Sequence, residues 1–311
     1  MRAYEFERFG GPTVLTPVER PRPEPGVGEV RVRVMATSVN PLDCRLRQNG
    51  AGMVELPARV GYDVSGVVDA LGPGVERFAV GDAVFYTPRL FEPGSYAEYH
   101  VEQAGIVASK PPSLSHAEAA SLPVVACTAW AALFDRAGVE LGDRVLVHGG
   151  GGVGSMAIQL AAAAGARPVC VAGAATLAQA ERLGAAAAVD YREGPFAEGL
   201  VDEPAFDVVL STVGGNAPAQ SVELMAAGGT IVDVVGEAAG VAEPAKLRNI
   251  TVEFMALERA RSTLKAVAAA VAAGQLEPVI DRIYPLAEVA QAHRDLEAGG
   301  RTGKLVLTVD S

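Results

Sequence analysis

The chain has 311 residues, of which half are hydrophobic and a fifth are charged, and its formal net charge is −11. The length exceeds that of a usual single core and predicts two domains, while the composition is that of a folded globular protein and excludes a disordered chain. The acidic balance, without any block rich in Lys or Arg, argues against nucleic acid as a partner.

The sequence predicts neither a membrane segment nor a disulfide framework. Residues 1–11 lack the apolar core of a signal peptide, and no run of 18 or more apolar residues is free of Gly, Pro or charge. Cys44, Cys127 and Cys170 are odd in number and far apart, so they form neither a set of disulfides nor a Cys-x-x-Cys cluster. We expect a cytoplasmic protein whose cysteines are buried as small apolar residues.

The first third of the chain has the pattern of a β-rich domain. Residues 29–39 alternate apolar and polar side chains, a period of two that predicts a half-buried strand. Short runs of the same kind follow over the next hundred residues, separated by turn sequences such as "PEPGVG" and "GPGV".

From Ser113 onward the pattern changes to that of a second, α/β domain. Ala and Leu recur there at helical spacing, and Ser115 with Glu118 forms a capping box. Apolar strand candidates then alternate with Ala-rich helix candidates, which predicts a doubly wound parallel sheet covered on both faces. The tail, with helix candidates and a last strand "KLVLTV", does not continue this alternation.

A glycine-rich turn lies between the strand "DRVLVH" and the helix "SMAIQLAAAAG". Gly149, Gly151 and Gly154 satisfy Gly-x-Gly-x-x-Gly in the strand–turn–helix setting that a dinucleotide site requires. We expect the main chain from Gly149 to Gly154, including Gly152 and Val153, to hold the pyrophosphate at the helix start. The alternative is a Gly-rich turn without a ligand.

The tip of the second strand of this domain indicates which dinucleotide binds. An Asp or Glu there would hold the ribose 2′-hydroxyl of NADH, but the sequence has Gly173, Ala174 and Ala175. This favours NADPH, with NADH still an alternative, because no Lys or Arg follows within a few residues. Arg192, Arg301 and Lys304 are more distant candidates for the 2′-phosphate, and the alternative for each is an ordinary surface charge.

Several motifs occur in an order that covers essentially the whole chain: "VNPLDCRLRQNG", "LPARVGYDVSGVV", "GVERFAVGDAVF", "GSYAEYH", "LGDRVLVHGGGGVG" and "GRTGKLVL". With these the chain resembles the zinc-independent quinone oxidoreductase (zeta-crystallin-like) branch of the medium-chain dehydrogenase/reductase superfamily. The resemblance implies a GroES-like, β-rich catalytic domain from residues 1–122 and 260–311, and a Rossmann domain from residues 123–259.

The resemblance also bears on metal binding. Zinc members of the superfamily have a Cys and a His where this chain has Asn40 and Tyr62, with Asp43 and Asp63 nearby. An amide, a phenol and a carboxylate do not make the usual N/S zinc site, so we expect no metal. The histidines lie elsewhere and are predicted to be surface or capping residues: His100, His116, His148 and His293.

By resemblance, Asn40 lies near nicotinamide and substrate, and Tyr62 is either a proton donor or a packed tyrosine. Arg45 stands where the family often has a tyrosine and is a substrate-binding candidate, while Asn40 and Asp43 have the alternative of fixing a loop. Residues 89–91 and the loop 236–249 are expected to shape the substrate pocket. The remaining cofactor-binding candidates are Thr128, Tyr191, Thr212, Val213, Gly214, Val235 and Gly236.

The resemblance implies hydride transfer from NADPH to a quinone or an α,β-unsaturated carbonyl compound without zinc. Two alternatives stay open: an alcohol or aldehyde dehydrogenase with an unconventional zinc site, and a non-catalytic NADPH-binding sensor or structural protein. The apolar segment 250–257 predicts an exposed sheet edge, through which we expect a homodimer.

Overall fold

The computed structural model describes residues 1–236 and 240–309. Its strands are β1 (Arg2–Glu5), β2 (Thr16–Glu19), β3 (Glu29–Val39), β4 (Val64–Leu71), β5 (Ala83–Tyr86), β6 (Tyr99–Gln103), β7 (Ala108–Ser109), β8 (Arg144–His148), β9 (Arg167–Ala172), β10 (Ala187–Asp190), β11 (Phe206–Ser211), β12 (Met225–Asp233), β13 (Thr251–Phe254), β14 (Ile280–Pro285) and β15 (Lys304–Thr308). Its α-helices are α1 (Pro41–Asn49), α2 (His116–Ala120), α3 (Pro123–Trp130), α4 (Gly152–Ala163), α5 (Ala174–Arg182), α6 (Phe196–Leu200), α7 (Ala217–Ser221), α8 (Ala242–Leu247), α9 (Arg261–Ala272) and α10 (Val289–Glu297).

The second half of the chain forms a six-stranded parallel sheet in the order β10-β9-β8-β11-β12-β13. Its strands are continuous apolar runs because both faces are covered. Val145 and Val147 of β8 pack on the face of α4, whereas Leu146 packs with Phe196 on the face of α6. This is the strand order of a dinucleotide-binding fold, and it confirms the predicted Rossmann class.

The first third of the chain forms a largely antiparallel sheet in the order β14-β15-β3-β4-β5-β7, with β6 also paired to β3. The last strands of the chain belong to this sheet, since β15 runs antiparallel to β3 with Leu305 opposite Val39. That pairing explains why the tail breaks the strand–helix alternation. The limits at residues 122 and 260 stay predictions, and residues 310 and 311 lie outside the described range.

Two contacts hold C-terminal segments of the chain against α4. The Gln159 side chain donates to the Glu277 carbonyl (3.1 Å) and accepts from the Glu277 N–H (2.7 Å). The stem of Lys304, at the start of β15, lies 3.1 Å from where a Cβ on Gly152 would be. The glycine-rich turn is therefore held next to the first sheet.

Candidate functional site

Two positions of the glycine turn, Gly149 and Gly154, favour glycine strongly. Gly149 has φ +93° and donates its N–H to the Val171 carbonyl at 2.8 Å. A Cβ on Gly154 would lie 1.7 Å from the Gly149 oxygen, so only glycine allows α4 to start this close to β8. A Cβ on Gly151 would meet nothing within 4 Å, which leaves the N-terminus of α4 open to a ligand.

A cavity of about 570 Å³ opens in front of this turn, at the carboxyl ends of β8, β9 and β11. Such a position at the carboxyl ends of parallel strands is where open α/β sheets bind ligands. The cavity brings together these predicted cofactor-binding residues: Gly149, Gly151, Gly173, Tyr191, Val213 and Gly214.

The other predicted cofactor-binding residues do not line this cavity. Thr212 lies just below it, where its hydroxyl donates to the His148 carbonyl at 2.6 Å and so supports the turn. Val235 and Gly236 follow β12 and donate their N–H groups to the Asp233 carboxylate at 3.1 and 3.0 Å. The remaining four residues lie in helices, Thr128 in α3 and Gly152, Val153 and Gly154 in the first turn of α4.

Two of the three basic residues that the sequence offered as partners of the 2′-phosphate, Arg192 and Arg301, line the cavity. The Arg192 guanidinium lies 3.3 Å from where a Cβ on Gly173 would be, at the tip of β9. Arg301 also lines the cavity, but it is already paired with the Gly299 carbonyl at 3.1 Å and the Asp281 carboxylate at 3.6 Å. Arg192 is therefore the cation best placed for a phosphate on a ribose beside Gly173.

Lys304 is neither a surface charge nor a member of this cavity, so both sequence-based interpretations of it are wrong. Only 5% of Lys304 is exposed, and its ammonium donates to Asn40 Oδ1 at 2.5 Å, to the Val39 carbonyl at 3.2 Å and to Asp63 Oδ2 at 3.2 Å. The cause is topological, because the pairing of β15 with β3 puts Lys304 beside the end of β3.

Asp63 is the centre of the resulting buried network. Its Oδ2 also accepts from Asn40 Nδ2 at 2.8 Å and from the Ser38 hydroxyl at 2.5 Å, and its Oδ1 accepts from the Val124 N–H at 2.8 Å. These protein donors replace the hydrogen bonds with water that the Asp63 carboxylate loses on burial. The network joins β3, the loop before β4, α3 and β15.

Asn40 is held from both ends of its amide by this network and is 3% exposed. Its main-chain N–H donates to Asp43 Oδ2 at 2.7 Å, while the Gly61 N–H donates to Asp43 Oδ1 at 2.8 Å. The loop-fixing alternative for Asn40 and Asp43 therefore has direct geometric support.

Tyr62 and Arg45 differ in their exposure to solvent. Tyr62 is 1% exposed and hydrogen-bonds to the main chain of Phe91, and burial raises the pKa of its phenol well above the usual range. Arg45 is exposed and reaches the Val235 carbonyl at 3.4 Å, so it bridges α1 and the end of β12. Residues 237–239 of the loop expected to shape the substrate pocket lie outside the described residues.

The histidines are more buried than the sequence suggested. His100, His148 and His293 are at most 7% exposed, so their prediction as surface or capping residues is wrong. The reason is that each has a polar partner inside the fold: the Tyr86 hydroxyl for His100, the Ser221 hydroxyl for His148 and the Tyr96 hydroxyl for His293. His148 in addition lines the cavity.

The side chains at the position of the family's zinc site do not suit that metal. Asn40 and Asp63 share the Lys304 ammonium, whose positive charge would oppose a cation in the same place. Across residues 1–236 and 240–309, no three His, Cys, Asp or Glu side chains come together as a metal site. Within the same ranges, no helix is long and apolar enough to cross a membrane.

Asp43 gives the site a pH dependence that can be measured. Burial raises the pKa of Asp43 to about 7, although the two N–H donors and Lys304 oppose the shift. Because the folded state then holds this proton more tightly than the unfolded state, the free energy of unfolding should fall as the pH rises from about 4 to about 7, by up to about 1.4 kcal/mol per pH unit. Urea unfolding of Asp43→Asn should show a flatter slope over this interval, and an unchanged slope would contradict the assignment.

Family models match both halves of the chain. Residues 26–112 match the alcohol dehydrogenase GroES-like domain, and residues 183–307 match the zinc-binding dehydrogenase family. The NAD(P)H oxidoreductase RTN4IP1, mitochondrial, of Mus musculus is 33% identical over 90% of this chain and 82% of its own length. The quinone oxidoreductase of Lama guanicoe is 33% identical over 99% of this chain and 97% of its own length.

Solved structures agree with these matches. The quinone oxidoreductase from Coxiella burnetii is 35% identical, with a TM-score of 0.92 over 100% of this chain and 99% of that one. The Escherichia coli quinone oxidoreductase complexed with NADPH is 26% identical, with a TM-score of 0.90 over 99% of this chain and 100% of that one. The chain therefore belongs to the zeta-crystallin-like quinone oxidoreductase branch of the medium-chain dehydrogenase/reductase superfamily and is an NAD(P)H-dependent oxidoreductase.

Proposed function

We propose that the protein transfers hydride from NADPH to quinones or α,β-unsaturated carbonyl compounds without zinc. NADPH is favoured over NADH because the Arg192 guanidinium lies beside Gly173, in the cavity that begins at the glycine turn. A carboxylate in that place would repel a 2′-phosphate, whereas a guanidinium attracts it. The quinone part of the substrate class is supported by the similarity to quinone oxidoreductases.

When bound, NADPH supplies the hydride, and the protein supplies binding and orientation. The open N-terminus of α4 would hold the diphosphate through main-chain N–H groups, and Arg192 with Tyr191 would hold the 2′-phosphate. The Lys304 network fixes Asn40 and so shapes the substrate side. A quinone or enone accepts hydride at carbon while charge develops at its oxygen, so a few hydrogen-bond donors can stabilise the transition state without a metal.

A second candidate function is NADPH binding without turnover. It is favoured by one observation, that Asn40 and Tyr62 both have their polar groups engaged by the protein itself. A zinc-dependent alcohol or aldehyde dehydrogenase is disfavoured by Lys304, whose ammonium lies between the oxygens that would have to bind the metal.

The deciding experiment uses protein treated with a chelator and freed of metal. NADPH oxidation is followed with a panel of quinones and enals, and then again after zinc is added. We expect oxidation with at least one acceptor before zinc is added and no gain afterwards. NADPH binding without oxidation by any acceptor would favour the non-catalytic candidate, and oxidation of alcohols only after zinc addition would contradict the proposal.

The exposed edge of the parallel sheet supports a homodimer through residues 250–257. Among the residues that the structure describes, β13 pairs only with β12, and Phe254 at its end is 63% exposed. Light scattering should therefore give the mass of two chains, and a Val252→Pro substitution, which removes an N–H from the edge, should lower it. A single-chain mass for the parent at micromolar concentration would contradict the dimer.

We also propose a cytoplasmic location. All three cysteines are free and buried, which suits a reducing compartment.

A further inference from the structure

Arg45 lies on the exposed side of α1, the helix that begins directly after Asn40. The exposed residues of this helix recur at helical spacing along one side: Pro41, Arg45, Gln48 and Asn49. Arg47, on the buried side, forms an ion pair with Glu297. Arg45 instead extends to the parallel sheet, where its guanidinium donates to the Val235 carbonyl at 3.4 Å. The helix α1 and the end of β12 therefore border the same space.

The charge of Arg45 is not neutralised by an acidic partner within residues 1–236 and 240–309. Its one hydrogen-bond partner in those ranges is the Val235 carbonyl, and a contact of 3.4 Å to a neutral oxygen is weak. Asp233, which ends β12, is 2% exposed and accepts from the Val235 and Gly236 N–H groups. The Asp233 carboxylate is thus buried, whereas the Arg45 guanidinium faces solvent and is available to an anion.

The strand order places Arg45 on the nicotinamide side of the proposed coenzyme site. The order β10-β9-β8-β11-β12-β13 reverses between β8 and β11, and a dinucleotide binds across such a point. A diphosphate at the glycine turn and a 2′-phosphate at Arg192, beside Gly173, put the adenosine half over β9. The nicotinamide half then extends toward β11 and β12. Val235, which Arg45 contacts, follows β12 by two residues.

We propose that Arg45 binds an anionic group of the hydride acceptor, so that the preferred substrates are quinones or enones with an anionic substituent such as a carboxylate. The inference rests on the proposed hydride transfer from NADPH, because the acceptor must then lie against the nicotinamide, near α1 and the end of β12. A guanidinium pairs with a carboxylate through two parallel N–H donors, and such charge-assisted bonds are roughly twice as strong as neutral ones. The anion therefore replaces the Val235 carbonyl as the partner of Arg45.

The test compares acceptors that differ in one anionic group, at saturating NADPH. One pair is 1,4-naphthoquinone-2-sulfonate and uncharged menadione, and the other is trans-4-oxo-2-pentenoate and its methyl ester. Arg45→Gln should lower kcat/KM for the anionic member of a pair at least about fivefold more than for the neutral member, mainly through KM. The ratio of variant to parent removes the intrinsic difference in reactivity within a pair. Added salt should weaken the parent's use of the anionic member only.

Two further variants show whether the charge at this position is responsible. Arg45→Lys keeps the charge and should retain most of the selectivity that Arg45→Gln loses. Arg77→Gln changes the net charge equally, at an exposed position between β4 and β5, and should leave the selectivity within about twofold of the parent.

Three results would overturn the inference: an equal change for both members of a pair in Arg45→Gln, the same loss of selectivity in Arg77→Gln, and turnover of the neutral members alone by the parent. If the parent oxidises NADPH with no acceptor of either kind, the proposed function itself is wrong and the inference fails with it. Because Arg45 is exposed, Arg45→Gln should fold as the parent does, and urea unfolding measures this.

Discussion

Replacement of Lys304 by methionine should cost about 3 kcal/mol of stability, because it leaves the buried Asp63 carboxylate without its cation. The Asp63 side chain is fully buried, and its remaining donors are Asn40, Ser38 and the Val124 N–H. The same change leaves Asn40 Oδ1 without its donor, and a displacement of about 1 Å at the substrate side can lower kcat by about a hundredfold. Urea unfolding and steady-state oxidation of NADPH measure the two effects.

A double variant distinguishes loss of the charge pair from simple misfolding. Lys304→Met combined with Asp63→Asn removes both charges, and it should be more stable than the sum of the two single variants by about 1–2 kcal/mol. Lys265→Met, at an exposed position of α9, is the control and should change stability by less than about 0.5 kcal/mol. Strict additivity in the double variant would show that Lys304 and Asp63 do not stabilise each other.

Arg192→Gln should weaken NADPH binding by about tenfold or more and leave NADH binding unchanged, because only NADPH carries the phosphate that the guanidinium would pair with. Since Arg192 is exposed to solvent, the preference of the parent for NADPH should also decline with added salt. Titration of both coenzymes at low and high salt measures this.

Arg301→Gln is the matched control for Arg192, since both side chains line the cavity. Arg301 already pairs with Asp281, so its removal should affect NADPH binding less. An Arg192→Gln protein with an unchanged ratio of NADPH to NADH affinity would contradict the placement of the 2′-phosphate.

The parts of the site that the sequence predicts are those built from neighbouring residues. The glycine turn, the strand before it and the helix after it lie within residues 144–163, so their pattern is complete in the sequence. The capping box is likewise local, and the Ser115 hydroxyl accepts from the Glu118 N–H at 3.2 Å as predicted. The helical segment after it is less simple, because Pro123 starts a new helix, α3, after α2 ends at Ala120.

The parts that the sequence does not predict depend on distant pairing. Lys304 and Asn40 are 264 positions apart, and nothing near either residue indicates that β15 lies against β3. A lysine at the start of a strand has the pattern of a surface charge, so its burial appears only once the sheet is assembled. His148 was overlooked for a similar reason, because its partner Ser221 comes from α7, 73 positions later.

The central claim is that NADPH lies against the main chain of the glycine turn, and Gly151 offers the most direct test. Its φ of −76° suits any residue and a Cβ there meets nothing within 4 Å, so Gly151→Val should fold normally while its side chain fills the space required by the diphosphate. In a fluorescence titration we expect the parent to bind one NADPH per chain and the variant to bind at least about tenfold more weakly. A folded Gly151→Val protein that binds NADPH as tightly as the parent would contradict the account.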